Sequence, residues 1–204
     1  MRRRASRHAT IALLVNTLDH VSPADRPLAR VTRDALAVRF ERALAAQDGA
    51  TAAHCIHELW MRGEMSITIE RALERLWKCA AAGIPDWLPM RYIDWLPRAY
   101  EIALGFRGSA KGRSNIYLVL LNYPDRLRYA YGVYVGMSNY SPADRFDQHK
   151  AGIRASGSVL KRGLEVLAGP TLHLQRIKRA EAERIEIELA EALSSAGLLV
   201  KGGH

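Results

Sequence analysis

Hydrophobic residues recur at helical spacing through the first half of the chain. The recurring positions are Leu36, Phe40 and Leu44 in one stripe, and Ile69, Leu73, Leu76, Trp77 and Ala80 in another. Spacings of three and four place each stripe on one side of a helix, so the pattern predicts amphipathic helices over 31–46 and 66–83. Prolines then break the stretch 85–97 into short pieces. We therefore expect residues 1–104 to form an all-helical region.

The second half of the chain shows a different pattern. Residues 116–123 and 127–136 are rich in leucine, tyrosine and β-branched residues, and the Pro-Asp-Arg between them is typical of a β-hairpin turn. The further elements that the pattern predicts are helices over 142–151, 159–167 and 179–196, the last ending at Gly197, and a strand over 171–176. A hairpin and a third strand predict a small α+β domain, with a three-stranded antiparallel sheet flanked by helices.

A change of composition marks the expected domain boundary. Residues 105–114 contain three glycines, two serines and three basic residues, which is typical of a linker. We therefore predict a helical domain of unknown role at 1–104, a linker at 105–114 and the α+β domain at 115–204. The linker's Lys111 and Arg113 are also candidates for contact with phosphate.

Charge points to a polyanionic partner. Thirty lysines and arginines against 21 aspartates and glutamates give a net charge of +9. The 15 basic and 9 acidic residues after residue 104 leave an excess of +6 there. The second half is therefore the stronger candidate for binding a polyanion such as nucleic acid.

Composition also excludes several classes of protein. A chain of 204 residues that is 49% hydrophobic can bury a core, which excludes a mainly disordered protein. No apolar run approaches the roughly 20 residues that span a membrane, and the basic start lacks the cleavage site of a signal peptide. Cys55 and Cys79 are too few for a disulfide scaffold. We expect a cytoplasmic protein with no membrane partner.

Two tyrosines are candidates for chemistry on the hairpin. If the turn is centred between Asp125 and Arg126, Tyr117 lies opposite Tyr134 and both phenols project from one face of the sheet. Gly136 leaves open space beside Tyr134. A purely structural cross-strand pair is the alternative interpretation.

Three further polar residues lie on predicted helices. Arg145 and His149 are four residues apart and share one side of their helix, which places a cation next to a proton-transfer group. Glu186 lies next to the buried stripe of the last helix, and a single carboxylate is a usual ligand of Mg²⁺ at phosphates. Solvated helix surfaces are the alternative for all three.

In this order, these features resemble the GIY-YIG nuclease superfamily, whose small α+β domain cleaves phosphodiesters. The resemblance covers about residues 114–204. Asn115-Ile116-Tyr117 corresponds to the first motif, with asparagine in place of its glycine, and Tyr134-Val135-Gly136 corresponds to the second. The segment that follows carries an arginine at the family's position, Arg145.

Further positions extend the resemblance. His149 resembles the histidine of restriction-type members, and Glu186, followed by Leu189-Ala190, corresponds to the metal-binding glutamate. The family often closes with an asparagine, and His204 is a candidate replacement for it.

The resemblance implies a metal-dependent endonuclease that hydrolyses DNA, expected to be double-stranded. It implies one Mg²⁺ or Mn²⁺ ion held by Glu186, and Arg145 on the scissile phosphate. Tyr117 is the first choice for the general base, helped by His149, and Tyr134 would orient the water or the phosphate. Which of Tyr117 and His149 finally holds the proton stays open. The residues expected to contact DNA are Gly136, Lys111, Arg113, Lys150 and Arg154.

Two other functions share these features. A non-catalytic DNA-binding module would keep the fold and the basic surface, with residues 1–104 contacting a protein partner. An exported nuclease toxin would share the chemistry but not the compartment. Residues 1–104 could also form a homodimer interface.

Overall fold

The computed structural model describes residues 18–109, 111–126 and 130–203, and its chain divides into two compact units, Met1–Tyr92 and Ile93–His204. The division does not match the predicted boundary at 105–114. The basic start of the chain, part of the second predicted strand and the terminal histidine lie outside the described residues. Within the described part of the chain, no helix is both long and apolar enough to cross a membrane.

The described part of the first unit is helical, as predicted. Its helices are a 3-10 turn at Pro23–Asp25, α1 at Arg33–Ala45, α2 at Gly49–Met61, α3 at Ser66–Ala80 and a 3-10 turn at Ala81–Gly83. The sequence pattern predicted α1 and α3 but not α2, which is buried along nearly its whole length. Trp77 was placed in the buried stripe of α3 but is 40% exposed, because the stripe centres on Leu73 and Leu76.

Helix α2 carries buried polar groups. Glu58 is 1% exposed and forms ion pairs with Arg26 at 2.7 Å and with Arg62 at 2.6 Å. His54 and His57 are also buried, and both imidazole rings contact the indole of Trp87, which is itself buried. Burial, with a smaller contribution from the His54 charge, lowers the pKa of His57 to about 4. The fold therefore holds this imidazole neutral.

We expect acid to destabilise the first unit. His57 in an unfolded chain takes up a proton near pH 6.5 but in the folded unit only near pH 4. The stabilisation is therefore complete above pH 6.5 and is lost as the pH falls from 6.5 to 4, by about 2 to 3 kcal/mol. Urea unfolding at pH 7.5 and pH 4.5, followed by tryptophan fluorescence, measures the difference.

Tryptophan fluorescence reports mainly on this unit, because three of the four tryptophans belong to it. His57→Gln removes this titrating group and should reduce the pH dependence, while His54, whose pKa burial also lowers, accounts for part of what remains. Equal stability of the wild-type chain at the two pH values would contradict the expectation.

The predicted linker is an integral part of the second unit. Gly112 donates its N–H to the Arg176 carbonyl at 2.8 Å, and Ser114 forms an antiparallel bridge with Ile177. A Cβ on Gly112 would overlap the Ile177 carbonyl, so the glycine permits a close approach of two backbones. Small residues in this segment thus serve pairing between strands rather than flexibility.

The second unit is an α+β fold built on a mixed four-stranded sheet. Its helices are α4 at Leu96–Leu104, α5 at Pro142–Lys150, α6 at Gly157–Arg162 and α7 at Arg179–Ser195, with a 3-10 helix at Gly169–Leu174. Its strands are β1 at Asn115–Asn122, β2 at Tyr131–Ser138, β3 at Gly163–Val166 and β4 at Val200–Gly202. The strand order is β3-β1-β2-β4, with β1 antiparallel to β2 and β3, and β4 parallel to β2.

The α+β class is confirmed, whereas the predicted set of three antiparallel strands is wrong. The segment predicted as a helix over 159–167 divides into α6 and β3, and the strand predicted over 171–176 is mostly 3-10 helix. The parallel strand β4 was not predicted. Helices α5 and α7 lie within one residue of their predicted bounds, and the Ser141 hydroxyl caps α5 by accepting the Asp144 N–H at 3.1 Å.

The hairpin register differs from the predicted one by two residues. Tyr117 lies opposite Gly136, and Tyr134 lies opposite Val119. The connection is longer than a tight turn, since β1 ends at Asn122 and β2 begins at Tyr131. A shift of two residues keeps every side chain on its face of the sheet, so both tyrosines still share one face.

The face of the sheet that carries Tyr117 and Tyr134 is called the tyrosine face below. It comprises alternate residues of β1 and β2, which pack with α5 and α6 through Phe146 and Val159. The residues of the tyrosine face on the two strands are Tyr117, Val119, Leu121, Tyr134 and Gly136.

Candidate functional site

Gly136 separates the two tyrosines of the tyrosine face. The rings of Tyr117 and Tyr134 lie 6.1 Å apart between centroids, with Tyr117 buried and Tyr134 half-buried. A Cβ on Gly136 would lie 2.7 Å from the Tyr117 hydroxyl oxygen and 2.6 Å from a ring carbon of Tyr134. The absence of a side chain at this position therefore sets where both phenols lie.

We expect Gly136→Ala to impair any chemistry of this pair. The added methyl group must displace both rings, and overpacking of this kind costs about 1 to 3 kcal/mol. Gly157→Ala is the matched control, because a Cβ on Gly157 meets no atom within 4 Å. Thermal unfolding and a DNA cleavage assay on both variants measure the effect. Activity and stability equal to those of the control would show that the rings tolerate the methyl group.

His149 links α5 to the tyrosine pair. It is 1% exposed, and its Nε2 lies 2.9 Å from the Tyr117 hydroxyl oxygen. The backbone N–H of Ser156 donates to Nδ1 at 2.9 Å. Since a backbone N–H can only donate, Nδ1 must be the acceptor nitrogen, and the neutral imidazole carries its hydrogen on Nε2. His149 therefore donates to the Tyr117 oxygen.

This tautomer determines whether His149 can accept the proton of the Tyr117 hydroxyl group. Burial, reinforced by the Arg145 charge, lowers the pKa of His149 to about 4, so the ring is neutral at pH 7. With Nδ1 accepting from Ser156 and Nε2 already protonated, the ring has no free lone pair to take the phenol proton. In this tautomer His149 orients the Tyr117 hydroxyl group and does not accept its proton.

Burial raises the pKa of both tyrosines above the usual value of about 10. For Tyr117 the neighbouring phenol of Tyr134 adds to the rise, while the Arg145 guanidinium opposes it. For Tyr134 the carboxyl group of Glu186 adds to the rise. Both phenols are therefore neutral at pH 7, and both lie within electrostatic range of Arg145.

Arg145 is half-buried and partly occupied by contacts within the protein. Its Nη1 donates to Gln148 Oε1 at 3.0 Å and to the Ile153 carbonyl at 3.2 Å, and its Nη2 donates to the Arg154 carbonyl at 2.8 Å. These bonds fix the guanidinium on the loop after α5. Of its five N–H groups, the Nε–H and one on Nη2 lie outside these three bonds, and the guanidinium also hydrogen-bonds to the Tyr117 hydroxyl group, which opposes the rise in the pKa of that phenol.

Glu186 is brought to the same site by α7. It is 9% exposed, and burial raises the pKa of its carboxyl group to about 7. The Glu183 charge adds to this rise, and the hydrogen bond from the Met137 N–H opposes it. The hydrogen bond from the Met137 N–H places the Glu186 carboxyl group near the end of β2. The fold thus gathers all five predicted catalytic residues around one end of the β1–β2 hairpin.

The donor set fits one kind of metal ion. No group of three or more histidine, cysteine, aspartate or glutamate side chains among the described residues could hold a metal by itself. Mg²⁺ binds proteins through one or two carboxylates and completes its coordination with water and substrate phosphates. A single carboxyl group close to Tyr134 is a donor set of the kind that Mg²⁺ or Mn²⁺ uses when bound together with substrate.

The predicted DNA contacts differ in their surroundings. Lys111 and Arg113 are exposed on the segment that pairs with 176–178, and Arg154 is exposed on the loop after α5. Lys150 instead donates to the carbonyls of Leu160 and Gly163 at 3.3 and 3.1 Å, which ties α5 to the end of α6. Its ammonium group already has partners within the protein.

Sequence reasoning missed several residues of this region. Asn115, at the glycine position of the motif, donates through Nδ2 to the Tyr140 carbonyl at 2.8 Å and accepts the Arg176 N–H through Oδ1 at 2.9 Å. Ser156 contributes a backbone N–H, for which the sequence carries no signal. Arg176 and Lys178 extend the basic segment around Lys111, and the pairing of distant segments that joins them is not visible in the sequence.

Comparison with family models, with curated proteins and with solved structures finds no match to this chain. The functional interpretation therefore depends on the site's own chemistry.

Proposed function

We propose that the second unit is a GIY-YIG-type endonuclease that hydrolyses phosphodiester bonds of DNA with one divalent metal ion. The observation that supports this most is the chain of hydrogen bonds from the Ser156 N–H through His149 to the Tyr117 oxygen. A packed tyrosine pair needs no oriented imidazole. A tyrosine that must present one particular oxygen lone pair to a substrate needs an imidazole in a fixed orientation.

The proposed reaction is attack of water on the phosphorus atom. The bond from the water oxygen to phosphorus forms, and the bond from phosphorus to the leaving oxygen breaks. Tyr117 Oη accepts a proton from the water while its own proton passes to a phosphoryl oxygen, so the phenol ends the step neutral. The leaving alkoxide takes a proton from solvent.

The other residues stabilise this arrangement. His149 donates to Tyr117 Oη and holds the ring in place, and Tyr134 orients the water or the phosphate beside it. Arg145 offers the phosphate its positive charge and an N–H group that is not bound to the protein. Glu186 would hold the metal ion, which supplies positive charge at the phosphoryl oxygens and activates water when bound.

DNA, expected to be double-stranded, is the proposed substrate because exposed cations lie on this unit. Many arginines of the described residues form ion pairs with carboxylates, among them Arg162, Arg179 and Arg184 in this unit. Lys111, Arg113, Arg176 and Lys178 lie on the two paired segments and are exposed. Lys178 is also within electrostatic range of the Glu181 carboxylate. Such cations bind phosphates and release counterions.

Incubation of the purified chain with supercoiled plasmid, linear duplex and single-stranded DNA tests the proposal. We expect nicking or cleavage of duplex DNA with Mg²⁺ or Mn²⁺ and none with chelator. The Glu186→Gln protein, purified in parallel, controls for contaminating nuclease. Tight DNA binding without cleavage in any metal would overturn the proposal in favour of a non-catalytic DNA-binding module.

A further inference from the structure

Strand β4 brings a cation to the tyrosine face. Lys201 is the register partner of Tyr134 in the parallel pair of β2 and β4. Register partners on neighbouring strands project from the same face of a sheet, so Lys201 shares a face with Tyr134 and Tyr117. Lys201 is exposed, whereas Tyr134 is half-buried. The lysine therefore borders the accessible side of the tyrosine pair.

The strand spacing allows the Lys201 ammonium group to reach a ligand that contacts the Tyr134 hydroxyl group. Neighbouring strands lie about 4.8 Å apart, and lysine and tyrosine side chains have similar lengths. Helices α5 and α6, which cover the tyrosine face, pack against β1 and β3. Strand β4 lies on the other side of β2, so these helices do not cover it. No ion pair engages Lys201 within the described part of the chain. Its charge is therefore available to a ligand at Tyr134.

Arg145, the side-chain cation on the opposite side of the tyrosine pair, is partly occupied. Three of its N–H groups bind the Gln148 side chain and two loop carbonyls. Arg145 also approaches from α5, on the side of β1. Apart from the metal ion that Glu186 would hold, a phosphate beside Tyr134 would thus have the Arg145 cation on the β1 side, and Lys201 would add a second side-chain cation from the β4 side.

We propose that Lys201 binds a non-bridging oxygen of the scissile phosphate, on the β4 side of Tyr134. This inference rests on the proposed nuclease function. The ammonium group offers three N–H donors and a full positive charge to a phosphoryl group whose negative charge grows as water attacks. Its effect is therefore on the rate of the chemical step more than on the affinity for DNA, to which many exposed cations contribute.

Three variants test this role under single-turnover conditions with saturating protein. We expect Lys201→Ala to slow cleavage by about a hundredfold, as removal of one charge-stabilising donor does, and Lys201→Arg to retain most of the rate. Lys161→Ala is the matched control, because Lys161 is an exposed lysine of α6 with no ion pair among the described residues. It should cleave like the wild type.

Thermal unfolding and metal-free DNA affinity complete the test. Lys201→Ala should unfold at the wild-type temperature and lose no more affinity than Lys161→Ala. Equal cleavage rates for Lys201→Ala and Lys161→Ala, or a loss of affinity without a loss of rate, would overturn the role of Lys201 alone. An inactive wild-type protein would overturn the proposed function itself, and this inference with it.

Discussion

Glu186→Gln is expected to lower the rate of DNA cleavage by about a thousandfold or more while leaving metal-free DNA affinity unchanged. The substitution keeps the shape of a side chain that is 9% exposed and removes the charge that would hold the metal ion. Because burial already raises the pKa of this carboxyl group to about 7, the neutral amide should not destabilise the fold. Single-turnover cleavage and fluorescence anisotropy in chelator measure the two quantities.

Glu183→Gln is the matched control. Glu183 lies on the same helix, is exposed, and accepts a hydrogen bond from Arg179 at 2.8 Å. An exposed ion pair of this kind contributes at most about 1 kcal/mol, so this variant should cleave and unfold like the wild type. If Glu183→Gln were the inactive variant and Glu186→Gln the active one, the metal site would have been assigned to the wrong side of α7.

Tyr117→Phe is expected to reduce the cleavage rate by about a hundredfold or more, the usual contribution of a general acid or base. The variant keeps the ring and removes the oxygen to which His149 donates at 2.9 Å. That loss leaves a buried N–H without its acceptor, at a cost of about 1 to 3 kcal/mol in the free energy of unfolding. Kinetics and urea unfolding of the same preparation measure both effects.

Tyr134→Phe provides the comparison within the pair. Tyr134 is half-buried and lies nearer to Glu186, so its variant should lose less activity and less stability than Tyr117→Phe. Wild-type cleavage by Tyr117→Phe together with an inactive His149→Ala would assign proton transfer to the imidazole. It would also contradict the tautomer that the Ser156 N–H imposes.

Local signals in the sequence predicted some elements and not others. Helix α5 was predicted nearly to its ends because Ser141, Pro142 and Asp144 form a cap whose hydrogen bonds are local. Helix α2 was missed because it is buried on almost all sides, so its sequence lacks the polar face that produces a periodic pattern. Strand β4 has three residues and pairs with a strand more than 60 positions away, which no local pattern records.

In the candidate site, too, some features could be predicted from the sequence and others could not. The side chains of Tyr117 and Tyr134 were placed on one face even with the wrong register, because an error of two residues preserves the face. What could not be predicted are the partners contributed by backbone. The Ser156 N–H that orients His149, and the loop carbonyls that hold Arg145, are groups that every residue type carries.

Asn115 has a consequence for protein engineering. Its side chain joins β1 to the Tyr140 carbonyl on one side and to the Arg176 N–H on the other. Replacing an unusual residue with the one most common in a resembling family is a standard route to a more stable protein. Here that route would install the motif's glycine, removing two hydrogen bonds and adding backbone freedom to a strand. At this position the consensus substitution would weaken the protein that it was meant to strengthen.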